Sequence, residues 1–335
     1  MVKRAILILF LIFFLGGCQY VNQHKKPIPN KPIEFSENVD SKQIDIVQLI
    51  GKDVNEVVEH FGNPTDKYPS NYHYEWLIYN HQPETYIQVG HIDNKIVTMF
   101  ILGQSIMNEP ISIGMSYDEI MEQLPLKNSV VMHVGDSDYR FDLTATDIQE
   151  RPLVQLSEEA FAQLYFDRFL NQLVAIRLLD KKTLLAQRPY RIVYRGSLEE
   201  INKPNEKQQK EIENANVKQI FEITNVLRKR YGKSSLQWND NVATAAFKHS
   251  KDMKDNQYFD HHSPTKGDLE NRLKTENVTY FLAGENIAAE YPDGIAAVMG
   301  WLNSEGHRET MLHEKFTDLG VGVYEKHYTQ NFITK

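Results

Sequence analysis

Two short segments near the C-terminal end of the chain each place a titratable side chain next to a glycine. Gly284-Glu285-Asn286 and Gly306-His307-Arg308 lie on either side of Trp301, and Asp260-His261-His262 precedes both. A carboxylate and neutral imidazoles can hold a divalent cation such as Zn²⁺, with open positions left for water or a ligand. Without a metal, the same groups could relay protons or bind a polar headgroup. The glycines before Glu285 and His307 predict backbone turns or close approaches that expose both side chains.

Helices that could position these residues begin well before them. Apolar residues at helical spacing predict one helix that ends near Gly232 and a second that begins after Asn239 or Asp240. The second helix carries His249 on its apolar stripe. A histidine in this setting is predicted to be a hydrogen-bonded core residue rather than a ligand, because most of its neighbours are apolar.

The chain opens with a short positively charged segment and then an apolar one, MVKRAILILFLIFFLGGCQY. The apolar run is too short to span a bilayer comfortably and ends in Leu15-Gly16-Gly17-Cys18, which looks like the lipobox of a bacterial lipoprotein signal. We therefore expect residues 1–17 to be a signal peptide, Cys18 to be lipidated with a fatty acid such as palmitate, and residues 18–44 to be a polar tether. A cleaved secretory signal or an uncleaved anchor is the alternative.

This signal predicts an exported protein, anchored by lipid at the outer face of the bacterial cell membrane. Cys18 is the single cysteine, so the exported chain has no thiol left for a disulfide and depends on its core for stability. Loss of Lys3 and Arg4 leaves 35 basic against 45 acidic residues, a net charge of −10. Such an acidic chain is a poor candidate for nonspecific nucleic-acid binding, and we expect no nucleic-acid partner.

An internal repeat follows the tether. IGKDVNEVVEHFGNP begins at Ile50 and IGMSYDEIMEQLPLK begins at Ile113, an offset of 63 residues. Each copy has helix-start chemistry, with Asp53 or Ser116 as the N-cap and a glutamate three residues later. Strand-like runs come after each helix. We predict an α+β domain over residues 45–194 made of two helix-plus-antiparallel-sheet repeats, and a charged linker over residues 195–214.

Residues 215–335 contain a set of motifs in a specific order: NVLRKRYG, LQWND, AAFKHSKDM, YFDHHSPTKG, AGENIA, WLNSEGHRETML and FTDLGVGVY. In order and spacing they resemble the CAP superfamily of cysteine-rich secretory proteins, antigen 5 and pathogenesis-related proteins. With the lipobox and the repeat, the whole chain resembles a CAP-domain lipoprotein of the Bacillus type with an N-terminal CAP-associated repeat domain. The resemblance implies an α-β-α sandwich with a cleft on one side, so the fold class expected for the whole chain is α+β.

The resemblance also implies which residues meet in the cleft. Carried over by motif, they are His261, Glu285 and His307, and as a metal set they would bind Zn²⁺ or another divalent cation. Eukaryotic family members have a second acidic residue soon after the tryptophan, whereas here Trp301 is followed by Leu302, Asn303 and Ser304. His262 is an alternative to His261 if the backbone differs. Trp301 and Arg308 are predicted to be structural, as a core aromatic and an ion-pairing or hydrogen-bonding residue.

Three hypotheses about function remain open. No cysteine or serine motif accompanies His307, which favours a noncatalytic module that binds a lipid, a cell-wall component or a protein. The second is a metal-assisted hydrolase of peptide or envelope substrates, with His261 and His307 as ligands and Glu285 as ligand or general base. In the third, the N-terminal repeat domain is a platform for a partner and the C-terminal domain is a bystander.

Overall fold

The computed structural model describes residues 46–81, 85–103, 111–124 and 126–335. The predicted signal peptide, Cys18 and the tether over residues 18–44 lie outside the described residues. Within the described ranges, no helix is both long enough and apolar enough to cross a membrane.

The N-terminal domain alternates short helices with antiparallel strands. Its helices are α1 (Asn55–Phe61), α2 (Tyr117–Gln123), α3 (Ala145–Glu150) and α4 (Lys181–Gln187). Its strands are β1 (Asp66–Pro69), β2 (Glu75–Tyr79), β3 (Tyr86–Ile92), β4 (Lys95–Leu102), β5 (Ser129–Val134), β6 (Ser137–Asp142), β7 (Leu153–Gln155), β8 (Ala160–Asp167), β9 (Gln172–Asp180) and β10 (Arg191–Arg195).

The two repeats share one large sheet. Among the described residues its strand order is β1-β2-β3-β4-β9-β8-β7, so β4 of the first copy pairs with β9 of the second. Both strands are almost entirely buried, as expected where two repeats join through their most apolar strands. The second copy also sends β5 and β6 into a separate sheet with β10.

The helix starts of the two copies differ. The second copy has the predicted capping box, in which the Glu119 amide donates to Ser116 Oγ (3.2 Å) and the Ser116 amide donates to Glu119 Oε2 (2.7 Å). In the first copy Asp53 lies two residues before the helix and accepts a bond from the Asn55 amide at 3.0 Å. The predicted reciprocal pairing is therefore confirmed in the second copy alone.

The C-terminal domain is a sheet between two layers of helices. Its helices are α5 (Glu206–Arg230), α6 (Asp240–Asp255), α7 (Leu269–Thr275), α8 (Gly294–Leu302) and α9 (Glu305–Met311). Its strands are β11 (Gln237–Trp238), β12 (Leu282–Ala289), β13 (Asp318–Tyr324) and β14 (His327–Thr334), in the order β11-β13-β14-β12. Helix α6 packs on one side of the sheet, with α5 and α8 on the other, which confirms the α-β-α sandwich.

Two glycines in β13 let α6 lie directly on the sheet. A Cβ atom on Gly320 would come within 2.1 Å of the Ala243 nitrogen, and one on Gly322 within 2.0 Å of the Phe247 nitrogen. Real Cβ atoms do not approach backbone this closely, so any side chain here would push α6 away. This contact sets the position of His249, which lies two residues after Phe247 on α6.

The predicted linker differs from the structure over its second half. Helix α5 begins at Glu206, with Asn205 as its N-cap, and therefore includes residues 206–214. The sequence of this stretch showed no apolar stripe because most of its first two turns faces solvent, while Ile212 is 5 % exposed. Residues 196–204 form the irregular connection between the domains.

The two domains share one apolar core. A single cluster joins buried aromatics of β2 and β3, such as Trp76, to residues of α5 and α8, such as Ile220 and Ile295. Polar contacts cross the same boundary: the hydroxyls of Tyr68 and Tyr86 donate to the two carboxylate oxygens of Glu222, at 2.8 and 2.6 Å. The surface of α5 and α8 that faces away from the sheet is thus covered by the N-terminal domain.

Candidate functional site

Glu285 is a buried carboxylate with two bonded partners. It lies on β12, opposite Asn331 of β14, and its side chain is 4 % exposed. His261 Nδ1 lies 2.9 Å from Glu285 Oε1, and Arg272 Nη2 donates to Glu285 Oε2 at 2.6 Å. The His261 side chain is 39 % exposed, so it forms the solvent side of this cluster.

Arg272 is the site residue that the sequence did not reveal. It lies on α7, its side chain is 4 % exposed, and besides Glu285 it bonds the carbonyls of His261 (2.7 Å) and Gly267 (3.0 Å). One guanidinium thus fixes both the carboxylate and the loop that carries His261. No spacing rule marks it, because an arginine in a short charged helix usually lies in solvent.

The charges around Glu285 keep it ionised. Burial alone would raise its pKa, but the hydrogen bond from His261 and the positive charge of Arg272 outweigh burial and hold the pKa below its ordinary value. An ionised carboxylate accepts hydrogen bonds and donates none, so His261 Nδ1 is the donor in their contact. Both carboxylate oxygens are therefore already engaged.

His249 lies behind Glu285, in the interior. Its side chain is fully buried, and its Nε2 lies 3.8 Å from Glu285 Oε1, too far for a hydrogen bond. Burial is the main cause that lowers the pKa of His249 to about 4, so the ring is neutral at pH 7 and the contact is not an ion pair. The prediction of a core histidine is confirmed, but neither ring nitrogen has a hydrogen-bond partner among the described residues.

His307 lies on α9, next to the Glu285 cluster but not bonded to it among the described residues. Its Nδ1 is 2.8 Å from Ser304 Oγ. Burial, followed by the charge of His261, lowers its pKa to about 4. The structure thus joins His261 to Glu285 directly and links His307 to the same strand through its carbonyl, which accepts from Asn286 Nδ2 at 3.0 Å.

Asn286 connects β12 to α9. The residue is buried, and its Nδ2 donates to the His307 carbonyl (3.0 Å) and to Gln330 Oε1 (3.2 Å). Gln330 in turn donates to Thr224 Oγ1 on α5 at 2.7 Å. This chain of amides holds the backbone of His307 against the sheet.

The two glycines expected to expose the site have different roles. A Cβ atom on Gly284 would lie 2.8 Å from the Phe316 ring, so this glycine allows a close approach as predicted. Gly306 has open space around it and lies in the first turn of α9. The structure therefore gives no reason for a glycine before His307.

The remaining motif residues are structural. Trp301 is buried and its Nε1 donates to the Ile287 carbonyl at 3.0 Å. Arg308 forms a buried ion pair with Asp167 of the N-terminal domain, with Nη2 and Oδ2 2.8 Å apart. Both predictions are confirmed. His262 is exposed, and its amide bonds Asp260 Oδ1 at 2.7 Å within a turn.

The residues present do not fit the proposed metal set. Across residues 46–81, 85–103, 111–124 and 126–335, no group of three His, Cys, Asp or Glu side chains is arranged to hold a metal ion. The guanidinium of Arg272 already neutralises Glu285 and would repel a cation brought to the same carboxylate. The donor set of His261, Glu285 and His307 therefore lacks a free carboxylate.

Family models match both domains. The CAP-associated N-terminal model matches residues 50–190, and the cysteine-rich secretory protein family model matches residues 221–334. The chain is 40 % identical over 314 residues to the "Uncharacterized membrane protein YlbC" of Bacillus subtilis, and the alignment covers 94 % of this chain and 90 % of that protein.

Two solved structures match about nine tenths of the chain. An extracellular protein containing a SCP domain from Bacillus anthracis is 43 % identical, with a TM-score of 0.84 over 90 % of this chain and 99 % of that one. A cysteine-rich secretory protein from Staphylococcus aureus has the same fold, at 24 % identity and a TM-score of 0.77, over 89 % of this chain and 95 % of that one. The chain therefore belongs to the cysteine-rich secretory protein (CAP) family and carries a CAP-associated domain in front of its CAP domain.

Proposed function

We propose that this chain is a noncatalytic binding module, anchored outside the cell membrane through lipidated Cys18, which recognises an envelope ligand through the cleft of His261, Glu285 and His307. The names of two relatives, a membrane protein and an extracellular protein, support export. The ligand classes that the cleft could serve are a lipid, a cell-wall component or a protein.

One observation carries the proposal: each oxygen of the Glu285 carboxylate already has a bonded partner. Glu285 is bonded to His261 at one oxygen and to Arg272 at the other. Each oxygen keeps a second lone pair, but the Arg272 guanidinium 2.6 Å away stabilises the ionised carboxylate and opposes both its protonation and the approach of a metal cation. Glu285 instead fixes the orientation of His261, which is the role of a supporting residue in a recognition site.

The bond to Glu285 also sets what His261 offers to a ligand. Because Nδ1 donates to Glu285, the Nε2 side of the ring is the side left for a ligand. His307, neutral at pH 7, adds an uncharged imidazole. An uncharged imidazole suits ligands with hydroxyl or amide N–H groups, as in glycans and peptides, better than an anionic headgroup.

Substitutions of two neighbouring histidines, His261 and His262, test whether the site binds a ligand. The mature chain, with Cys18→Ser to keep it in solution, would be titrated with soluble cell-wall fragments and with lipid vesicles in a calorimeter. His261→Gln should weaken binding at least tenfold. His262→Gln is the matched control, because this side chain is exposed and its neighbour supplies the bond to Glu285. Equal loss in both variants would contradict the assignment.

The hydrolase hypothesis is tested in the same experiment. Products would be sought by mass spectrometry after incubation with the same fragments, and metal content would be measured on the purified protein. We expect no products and no stoichiometric metal. Hydrolysis that disappears in His307→Ala, together with one bound Zn²⁺ lost in His261→Ala, would overturn the noncatalytic proposal.

A further inference from the structure

The strand that carries Glu285, β12, is an edge strand of its sheet, and one side of its backbone faces outward. Alternate residues of an antiparallel strand turn their N–H and C=O groups to opposite sides. The Trp301 indole donates to the Ile287 carbonyl, which marks the side of β12 that faces away from β14. Glu285 and Ala283, two and four residues before Ile287, face the same way.

The bonds at the other edge of the sheet agree. The Asn239 amide donates to the Leu319 carbonyl at 3.1 Å, so Leu319 faces β11, and its neighbour Gly320 faces β14, opposite Asn331. Alternation across β14 then turns Gln330 toward β12, opposite Asn286. The odd-numbered residues of β12 are therefore the outward ones.

Solvent reaches this edge beside the candidate site. Glu285 as a whole residue is partly exposed although its side chain is 4 % exposed, so the exposed part is its backbone. Ala283 is also partly exposed. Among the described residues, no hydrogen bond joins the outward N–H and C=O groups of Ala283 or Glu285 to the rest of the protein. The series of unpaired backbone groups ends at Ile287, because the Trp301 indole donates to the Ile287 carbonyl.

The unpaired stretch of β12, at Ala283 and Glu285, has residues of the candidate site on both sides. His261 stands over the Glu285 carboxylate, and Asn286 ties α9, with His307, to the strand. At the start of the strand Phe281 is 89 % exposed and Leu282 is 37 % exposed, which extends the polar stretch with an apolar surface. Unpaired donors and acceptors at strand spacing, next to exposed apolar side chains, match an extended peptide more closely than a glycan or a lipid.

We propose that the cleft binds an extended peptide segment, which adds to β12 as a further strand along Ala283 and Glu285. Residues two apart on a strand repeat at about 6.6 Å, so one peptide residue would exchange two bonds with each of these positions. His261, held in place by Glu285, adds a hydrogen bond to the peptide. This inference rests on the proposed function, since it names the ligand class of the same cleft.

The first test removes one hydrogen-bond donor from the exposed edge of β12. Ala283→Pro removes an outward N–H without touching a bond to β14, and Ala283→Val keeps the N–H and is the matched control. The probes are a panel of all-L hexapeptides and the stem peptides released from cell walls by amidase, which distinguish a protein partner from a wall peptide. Ala283→Pro should weaken binding at least tenfold, and Ala283→Val less than threefold.

The second test leaves the protein unchanged, so it holds even if Ala283→Pro does not fold. Peptides that bind are N-methylated at one position at a time. Strand addition predicts that alternate methylations abolish binding and the others do not, and that the amide NMR signals of Ala283 and Glu285 shift more than those of Gly284 and Asn286. Equal effects at every methylated position would overturn the proposal.

Failure of the proposed binding site and failure of strand addition would give different experimental results. A ligand lost in His261→Gln but kept in Ala283→Pro would leave the cleft as a binding site and exclude strand addition. Binding of glycans or vesicles without any peptide would do the same. No binding of any probe would overturn both proposals.

Discussion

Acidification should destabilise the protein through two buried imidazoles. His249 and His307 each have a pKa lowered from 6.5 to about 4, chiefly because burial disfavours their charged forms. In the unfolded chain both rings are in water and bind protons as the pH falls through 6.5. Between pH 6.5 and 4 the unfolded state therefore binds more protons than the folded state, and the free energy of unfolding decreases as the pH falls.

The size of the effect follows from the two pKa values. Lowering a pKa by one unit corresponds to about 1.4 kcal/mol. Each histidine therefore lowers the free energy of unfolding by about 2.5 kcal/mol between pH 7.5 and 4.5. The pair removes about 5 kcal/mol, a large part of the total stability of an ordinary domain. His313 and His327, whose pKa values burial also lowers, act in the same direction. Glu285, with its depressed pKa, adds its own loss below about pH 4.5.

Urea unfolding at a series of pH values measures this dependence. His249→Phe keeps a ring in the core and removes one titrating group, so about 2.5 kcal/mol of the loss between pH 7.5 and 4.5 should disappear. His262→Gln, a change on the surface, is the matched control and should retain the slope of the parent protein. If His249→Phe retains the full slope, the histidine is not the buried neutral group described here.

Three further predictions concern packing and charge. Arg272→Gln leaves the Glu285 carboxylate buried without its 2.6 Å cation, and should cost about 3–5 kcal/mol in urea unfolding and raise the pKa of Glu285 measured by NMR. Asp167→Asn removes the carboxylate that pairs with the buried Arg308 across the domain boundary, and should lower the free energy of unfolding by a similar amount in the same assay. A decrease of less than about 1 kcal/mol, which is typical of exposed ion pairs, would contradict the buried pairing. Gly322→Ala must displace α6 and should prevent folding or cost at least about 3 kcal/mol, whereas Gly306→Ala has free space in a helix and should stabilise by about 0.5–1 kcal/mol in thermal unfolding.

More of the fold than of the candidate site could be predicted from the sequence. Motif order predicted the α-β-α sandwich, and capping chemistry located the helix after Ser116. Local patterns do not say which strands of two repeats meet, so the β4–β9 pairing could not be predicted. The start of α5 does carry a local signal, the capping box of Asn205 and Gln208, but the charged stretch after it has no apolar stripe and therefore indicated a linker.

At the site, the motif predicted that His261 and Glu285 meet, and they do. It did not predict that Glu285 is neutralised by Arg272, which is thirteen residues away in sequence and comes from a separate helix. That contact depends on how α7 packs against β12, and it changes the chemistry from an available metal ligand to a fixed acceptor. Residue type alone cannot distinguish these two states of a carboxylate.

The contacts between the domains bear on the hypothesis that one domain is a bystander. The helix that carries His307 is joined to the N-terminal domain next to the site, because Arg308 pairs with Asp167. Just before this helix, Asn303 Nδ2 donates to the Phe166 carbonyl at 2.7 Å. Removing the N-terminal domain would leave the Arg308 charge without its partner and expose the apolar core that both domains share. A deletion therefore cannot separate a role of the repeat domain from the folding of the cleft. Point substitutions such as His261→Gln in the full chain can separate them, because they leave the boundary intact.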